Sequence, residues 1–147
     1  MEKQIAQNYA THRRMYPIQH YVLAPIGIIT FIISVFYTIE ALSNQPFSWL
    51  PVLVLSLAFQ VLLVGFIARR NGLVAQDRAI RAEEQLRHYV LTNQRLDSRL
   101  SIHQIVALRF ASDEQFPALA SQAADQGMKT NEIKKAIRQW RPDHHRV

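Results

Sequence analysis

The sequence predicts an all-α membrane protein, with a transmembrane helical hairpin, a cytoplasmic helical stalk and a small C-terminal helical bundle. Three observations predict it. Between Met15 and Ala68 the only formal charge is Glu40, whereas Lys, Arg, Asp and Glu are dense elsewhere. Two apolar runs, Ile18 to Leu42 and Trp49 to Ala68, are each long enough to cross a hydrocarbon core of about 30 Å. From Leu73 onward most residues are fair to good helix formers, and helix-start and helix-stop signals recur after Ser101. A mean hydropathy near zero averages over these two populations and suggests a soluble protein only if they are not separated. The expected division is 1–16, a basic juxtamembrane segment; 17–68, the two-span hairpin with spans 18–42 and 49–68; 69–95, the stalk; and 96–147, a small basic helical module.

The formal net charge of +6 sits outside the apolar runs. Such a surface suits anionic lipid, nucleic acid or an acidic partner. The chain has no Cys, which excludes disulfides, thiolate zinc sites and thiol nucleophiles.

The first sixteen residues, "MEKQIAQNYATHRRMY", can place Ile5, Tyr9 and His12 or Arg13 on one helical face. Arg13 and Arg14 precede span one, and Arg69 and Arg70 follow span two, where all four can meet lipid headgroups. The connecting "SNQPFSW" has no Lys or Arg, so the positive-inside rule puts both termini in the cytoplasm. Tyr16, Tyr21, Tyr37 and Trp49 lie near span ends, as interfacial aromatics do. "EALSNQ" is a poor cleavage site and a second span follows, so span one reads as a retained helix. The Arg pair in "RRMYP" reads as topology-setting charge. Pro25 is expected to kink span one, and Glu40 to sit hydrated near its outer end.

Inside the spans, Gly27, Thr30, Ser34, Thr38 and Ala41 recur at three-to-four spacing. Folding the hairpin near Gln45 and Pro46 sets Thr30 level with Gln60 and Ser34 level with Ser56. Gly27, Thr30, Ser34, Ser56 and Gln60 are therefore expected to pack the membrane helices, within one chain or between copies.

The stretch "GFIARRNGLVAQDRAIRAEEQLRHYV" asks whether span two ends near Arg69. Asn71-Gly72 is the weak point. The expectation is a helix continuing to about Val90, with a seam at Ala79, Ala82, Leu86, Tyr89 and Leu96 for a partner helix or for packing against the C-terminal module.

In the module, Ser101 with Gln104 forms a capping-box pattern. Ser112 or Asp113 is the expected N-cap of the next helix, Pro117 is tolerated near its start, and Gly127 is its stop. "KTNEIKKAIRQW" is expected to be a third helix from Thr130, with Ile133, Ile137 and Trp140 on one face. Ile105, Leu108, Phe116, Leu119 and Met128 complete the expected core. Lys134, Lys135, Arg138 and Arg141 form the expected basic docking face, with Lys129 and Arg146 nearby.

The sequence shows no glycine-rich phosphate loop, no HExxH and no nucleophile elbow, so no enzyme is expected. His12, His20, His88 and His103 lack ligand spacing, and adjacent His144 and His145 point apart, so neither metal nor cofactor is expected.

Four segments, "QNYATHRRMYPIQHYVLAPI", "QDRAIRAEEQLR", "ALRFASDEQFPALA" and "AIRQWRPDHHRV", together resemble a family of small bacterial two-span membrane proteins of unknown function. The resemblance covers nearly the whole chain. It implies two spans and a cytoplasmic helical region, and carries no activity with it. It also implies a shared surface or fold contact among Gln76, Asp77 and Arg78 with Arg109, Asp113, Trp140, Arg141 and Pro142. Asn71-Gly72 departs from that family's usual helix-forming junction.

The expected function is a membrane-anchored interaction or assembly protein whose cytoplasmic module docks a partner or anionic lipid, and which self-associates. The alternative is a small oligomeric conduit or an accessory subunit of a transport complex, lined by Thr30, Ser34, Ser56 and Gln60. A membrane-anchored nucleic-acid binder is the least favoured, because aromatics are not interleaved with the basic residues. The expected location is the bacterial inner membrane, with lipids and either further copies or another membrane protein as partners and no small-molecule substrate.

Overall fold

A computed structural model describes residues 8–9, 16–44 and 46–143. Among them the fold is all-helical, with α1 (Ala24–Asn44), α2 (Trp49–Thr92), α3 (Ile102–Leu108), α4 (Phe116–Gln126) and α5 (Thr130–Ala136). Two compact units divide the chain, one of residues 15–72 and one that includes everything from Leu73 onward. α2 contributes residues to both.

In the first unit a π-helical stretch, Ile18–Leu23, leads directly into α1, so that Ala24 donates its N–H to the Gln19 carbonyl five residues back. This wider register falls just before Pro25, which has no N–H and whose ring would strike the carbonyl four residues earlier. Where a kink is expected at Pro25, the structure shows a change of helical register just before it. The stretch Ile18–Asn44 and α2 are both long and apolar enough to cross a membrane, and nearly all of each apolar stretch faces outward.

These helices touch through a narrow stripe. Ser34 and Thr38 are the buried residues of α1, and Pro51 and Ala58 face them from α2. The Thr38 hydroxyl lies 2.7 Å from the Ser34 carbonyl and 3.1 Å from the Pro51 carbonyl. A helical carbonyl has two lone pairs, so the Pro51 oxygen can accept from Thr38 in addition to its place in the helix. Phe31 and Phe59 have ring centroids 6.1 Å apart. A Cβ on Gly27 would lie 2.9 Å from Leu62 Cδ2, so glycine permits the approach. Partner numbers fall along α2 as they rise along α1, so the two run antiparallel.

α2 continues without a break through Asn71 and Gly72 to Thr92. It ends where Asn93 turns left-handed at φ 55°, a conformation Asn tolerates, and donates its N–H to the Tyr89 carbonyl at 2.7 Å.

In the second unit α2 buries Ile80 and Glu84 and sets Arg87 against Phe116 of α4 and against Ala111 and Asp113. The core is Leu96, Leu100, Ile105, Leu108, Phe110, Phe116, Leu119, Ile133 and Ile137 with the buried alanines Ala107, Ala111, Ala120 and Ala123, and with Met128 and Trp140 packed at its edge. Ser101 caps α3 by accepting from the Gln104 N–H at 3.3 Å while the Gln104 side chain accepts from the Ser101 N–H at 2.7 Å. Gly127 ends α4 at φ 60°.

Two helix boundaries differ from the expectation. α4 is capped at Gln115, not at Ser112 or Asp113; residues 113–115 form a turn in which Phe116 donates to the Ser112 carbonyl. Pro117 needs a place in the first turn, which sets this start. α5 ends at Ala136, well short of Trp140, because tertiary groups replace its next hydrogen bonds. The Gln115 side-chain amide donates to the Ala136 carbonyl at 2.7 Å and its Oε1 accepts from the Arg138 N–H at 3.0 Å. The chain then pairs back on Phe110–Ser112, with Arg141 N–H to Phe110 O at 2.7 Å and Ser112 N–H to Gln139 O at 3.1 Å.

Candidate functional site

The second unit is organised around Arg87. Its side chain is 10% exposed, and each of its three nitrogens has a partner. Nε donates to Asp113 Oδ1 at 2.7 Å, Nη1 to Glu84 Oε2 at 3.0 Å and Nη2 to the Ala111 carbonyl at 2.7 Å. The guanidinium also lies 4.5 Å from the centre of the Phe116 ring, where a cation is attracted by the aromatic face. Lys could not satisfy three divergent acceptors in this way.

Beside this hub is a cavity of about 270 Å³ lined by Gln76, Glu83, Glu84, Arg109, Arg141 and Asp143, with Ala79, Ile80 and Pro142. Burial pushes the Glu84 carboxyl above its usual range, and the hydrogen bond from Arg87 only partly offsets it. Gln76 Oε1 is buried with no hydrogen-bond partner among the described residues. Arg109 Nε lies 3.1 Å from Asp143 Oδ2 and its guanidinium stacks 4.7 Å over Phe110. The cavity can therefore hold small polar groups between a protonatable carboxyl and guanidinium donors.

The residues that the resemblance grouped largely converge here. Gln76, Arg109, Arg141 and Pro142 line the cavity. Asp113 holds Arg87, and Trp140 stacks on Phe110 with centroids 5.2 Å apart and bridges to Ala111. Asp77 is half-buried and Arg78 is exposed on α2. Composition and spacing did not single out Glu84 or Arg87. Their i, i+3 placement on one helix face was visible, but Asp113 and Ala111 lie more than twenty residues away.

The expected seam lies mostly on the outside of this unit. Ala79, Ala82, Leu86 and Tyr89 are all exposed, and of the five only Leu96 is buried, in the unit's own core. Within the unit α2 covers Ile80 and Glu84 and most of Arg87, whose guanidinium meets Asp113, Ala111 and Phe116. Leu86, Tyr89 and Leu96, with Arg81, Arg95 and Ile105, line an open groove of about 500 Å³.

The basic residues are spread over different elements. Lys134 is half-buried on α5; Lys135 is exposed, with Nζ 6.0 Å from the Tyr9 ring centre. Arg138 and Arg141 lie beyond the helix end, so the four do not share a helical face. In the first unit, Gly27 and Ser34 lie on the α1–α2 contact, whereas Thr30, Ser56 and Gln60 are exposed. The Ser34 and Ser56 hydroxyls donate to the carbonyls three residues back, Phe31 and Leu53, at 2.7 and 2.8 Å. Arg69 is half-buried and Arg70 exposed; Arg13, Arg14, His144 and His145 lie outside the described residues. Among the described residues no three His, Asp or Glu side chains come together as a metal ion would require.

The molecule is thus an all-α protein with two helices apolar enough to cross a membrane and a helical unit built on a buried Arg–carboxylate hub. Over residues 1–147 the chain matches the model of the Family of unknown function (DUF6526), and it belongs to that family. Neither a curated protein nor a solved structure matches it.

Proposed function

We propose that this is a membrane-anchored interaction protein. Ile18–Asn44 and the apolar part of α2 form a two-pass hairpin, both termini lie on the cytoplasmic side of a bacterial inner membrane, and the helical unit docks a protein partner. The observation that carries the docking role is the contrast within that unit. Its core residues are 8% exposed or less, while Leu86, Tyr89 and Val90 on α2 are 64%, 51% and 74% exposed. Apolar surface of this kind on an otherwise well-packed domain marks an interaction site. The flanking Arg81 and Arg95 favour a partner with an acidic rim.

Because the chain has no Cys, single cysteines report cleanly. Ser48→Cys should react with an impermeant maleimide on intact cells, and Ser98→Cys only after permeabilisation. Reaction of both from one side would overturn the topology. A photocrosslinker at Val90 should capture a defined protein, and Leu86→Glu should abolish the adduct; capture that is indifferent to Leu86→Glu would overturn the docking face.

A further inference from the structure

We propose that the chain pairs with a second copy of itself inside the bilayer, through the face of α2 that carries Gln60. The inference rests on the membrane reading above and deepens it by naming a partner.

Along the helix Gln60 is about 16 Å from Trp49 and about 14 Å from Arg69 at 1.5 Å per residue, which is mid-depth in a hydrocarbon core. It is exposed, on the side of α2 away from Pro51, Ala58 and Leu62, the residues that meet α1. Its carboxamide has no hydrogen-bond partner among the described residues. Ser56, one turn earlier, cannot serve as a donor, since its hydroxyl is committed to Leu53. Acyl chains offer neither donor nor acceptor, so an amide at this depth is costly until another protein group meets it.

The chemistry selects the partner. A carboxamide both donates and accepts, so two Gln60 side chains related by a two-fold axis satisfy each other. A second copy crosses the bilayer in the same sense and brings its amide to the same depth by construction. Any other protein would have to place a matching polar group there independently. The flanking residues on the same face, Leu53, Leu57, Val64 and Ile67, are apolar and at least half exposed, and so are available to pack around such a pair.

The test uses the full chain labelled at Ser98→Cys, reconstituted in liposomes, with energy transfer between differently labelled copies followed as lipid dilutes protein. Retention in alkali-washed vesicles is checked first. The wild-type chain should associate. Gln60→Leu, which makes the span more apolar and so leaves insertion intact, should weaken association about 3- to 30-fold, the range for interhelical polar contacts in membranes. Gln60→Asn should retain most of it, and Ser56→Ala should match the wild type. Unchanged association in Gln60→Leu, or a wild-type chain retained in the vesicles yet monomeric at every density, would overturn the pairing. Release of the wild-type chain by alkali would overturn the membrane reading and the pairing together.

Discussion

Arg87 on α2 donates from Nη2 to the carbonyl of Ala111 at 2.7 Å, across 24 positions of sequence. That contact, with those to Glu84 and Asp113, ties the polar end of α2 to the segment between α3 and α4. It also shows how the polar end of α2 is held against the helical module.

Removing this guanidinium should be costly in a way that removing the pair is not. Arg87→Met leaves the Glu84 carboxyl and the Ala111 carbonyl without their donor, a loss of about 3–5 kcal/mol. Glu84→Leu together with Arg87→Met should recover most of the Glu84 share, because a buried ion pair roughly breaks even against apolar residues of similar volume. Chemical denaturation of the full chain in mild detergent, monitored by circular dichroism, reads both.

The pH dependence should carry a signature of Glu84. Burial raises its folded pKa above the ordinary 4.5, so the folded chain holds this proton more tightly than the unfolded chain does. Its contribution therefore improves as pH falls through the folded value and levels off below the unfolded one. Asp97, lowered chiefly by its hydrogen bond from Arg99, and Glu114, lowered by its own backbone N–H and by Ser112, act in the opposite sense, and lose their contribution as pH falls through their folded values. The melting temperature of wild type minus that of Glu84→Gln isolates the first group. That difference should rise as pH approaches 4.5 from above; a flat difference would mean Glu84 is not perturbed.

Gly27 should tolerate a methyl group but not a large side chain. A Cβ there would meet Leu62 Cδ2 at 2.9 Å, which the Leu62 side chain can relieve by a small shift. Gly27→Ala should therefore change stability only slightly. Gly27→Ile should overpack the contact and cost about 1–3 kcal/mol. Adding Leu62→Ala should restore much of it. Thermal unfolding in detergent, with distances between spin labels at Ile29 and Leu63, would show whether the helices separate.

Gln115 should act as the stop for α5. Gln115→Ala removes both the donor to Ala136 O and the acceptor for Arg138 N–H, at about 1–3 kcal/mol for the groups left unsatisfied. Gln115→Glu keeps the acceptor and loses the donor. Hydrogen exchange at the Arg138 amide should accelerate strongly in the first and much less in the second.

Local signals were legible wherever the deciding groups lie within a few residues of one another. The apolar runs, the Ser101–Gln104 box and the Gly127 stop are of this kind. Each depends on hydropathy or on hydrogen bonds that span at most a turn or two. The continuity of α2 through Asn71-Gly72 was also within reach. A single Gly costs a helix about 1 kcal/mol, less than breaking and restarting it.

The end of α5, the choice of buried face on α2 and the hub itself were not legible in this way. The spacing at Ala79, Ala82, Leu86 and Tyr89 is as regular as that at Ile80, Glu84 and Arg87. Periodicity shows that a helix has faces, but not which face another part of the chain will meet. By itself, then, the sequence determined the helical class, the two apolar helices, the Ser101–Gln104 box and the Gly127 stop, because those follow from short-range chemistry. Only the tertiary structure decided that Arg87 is mostly covered, that Gln115 stops α5, and that Gln60 is left outside the α1–α2 contact. Each of those outcomes depends on groups far apart in the chain, whose meeting is settled by packing and by the need to satisfy buried charge.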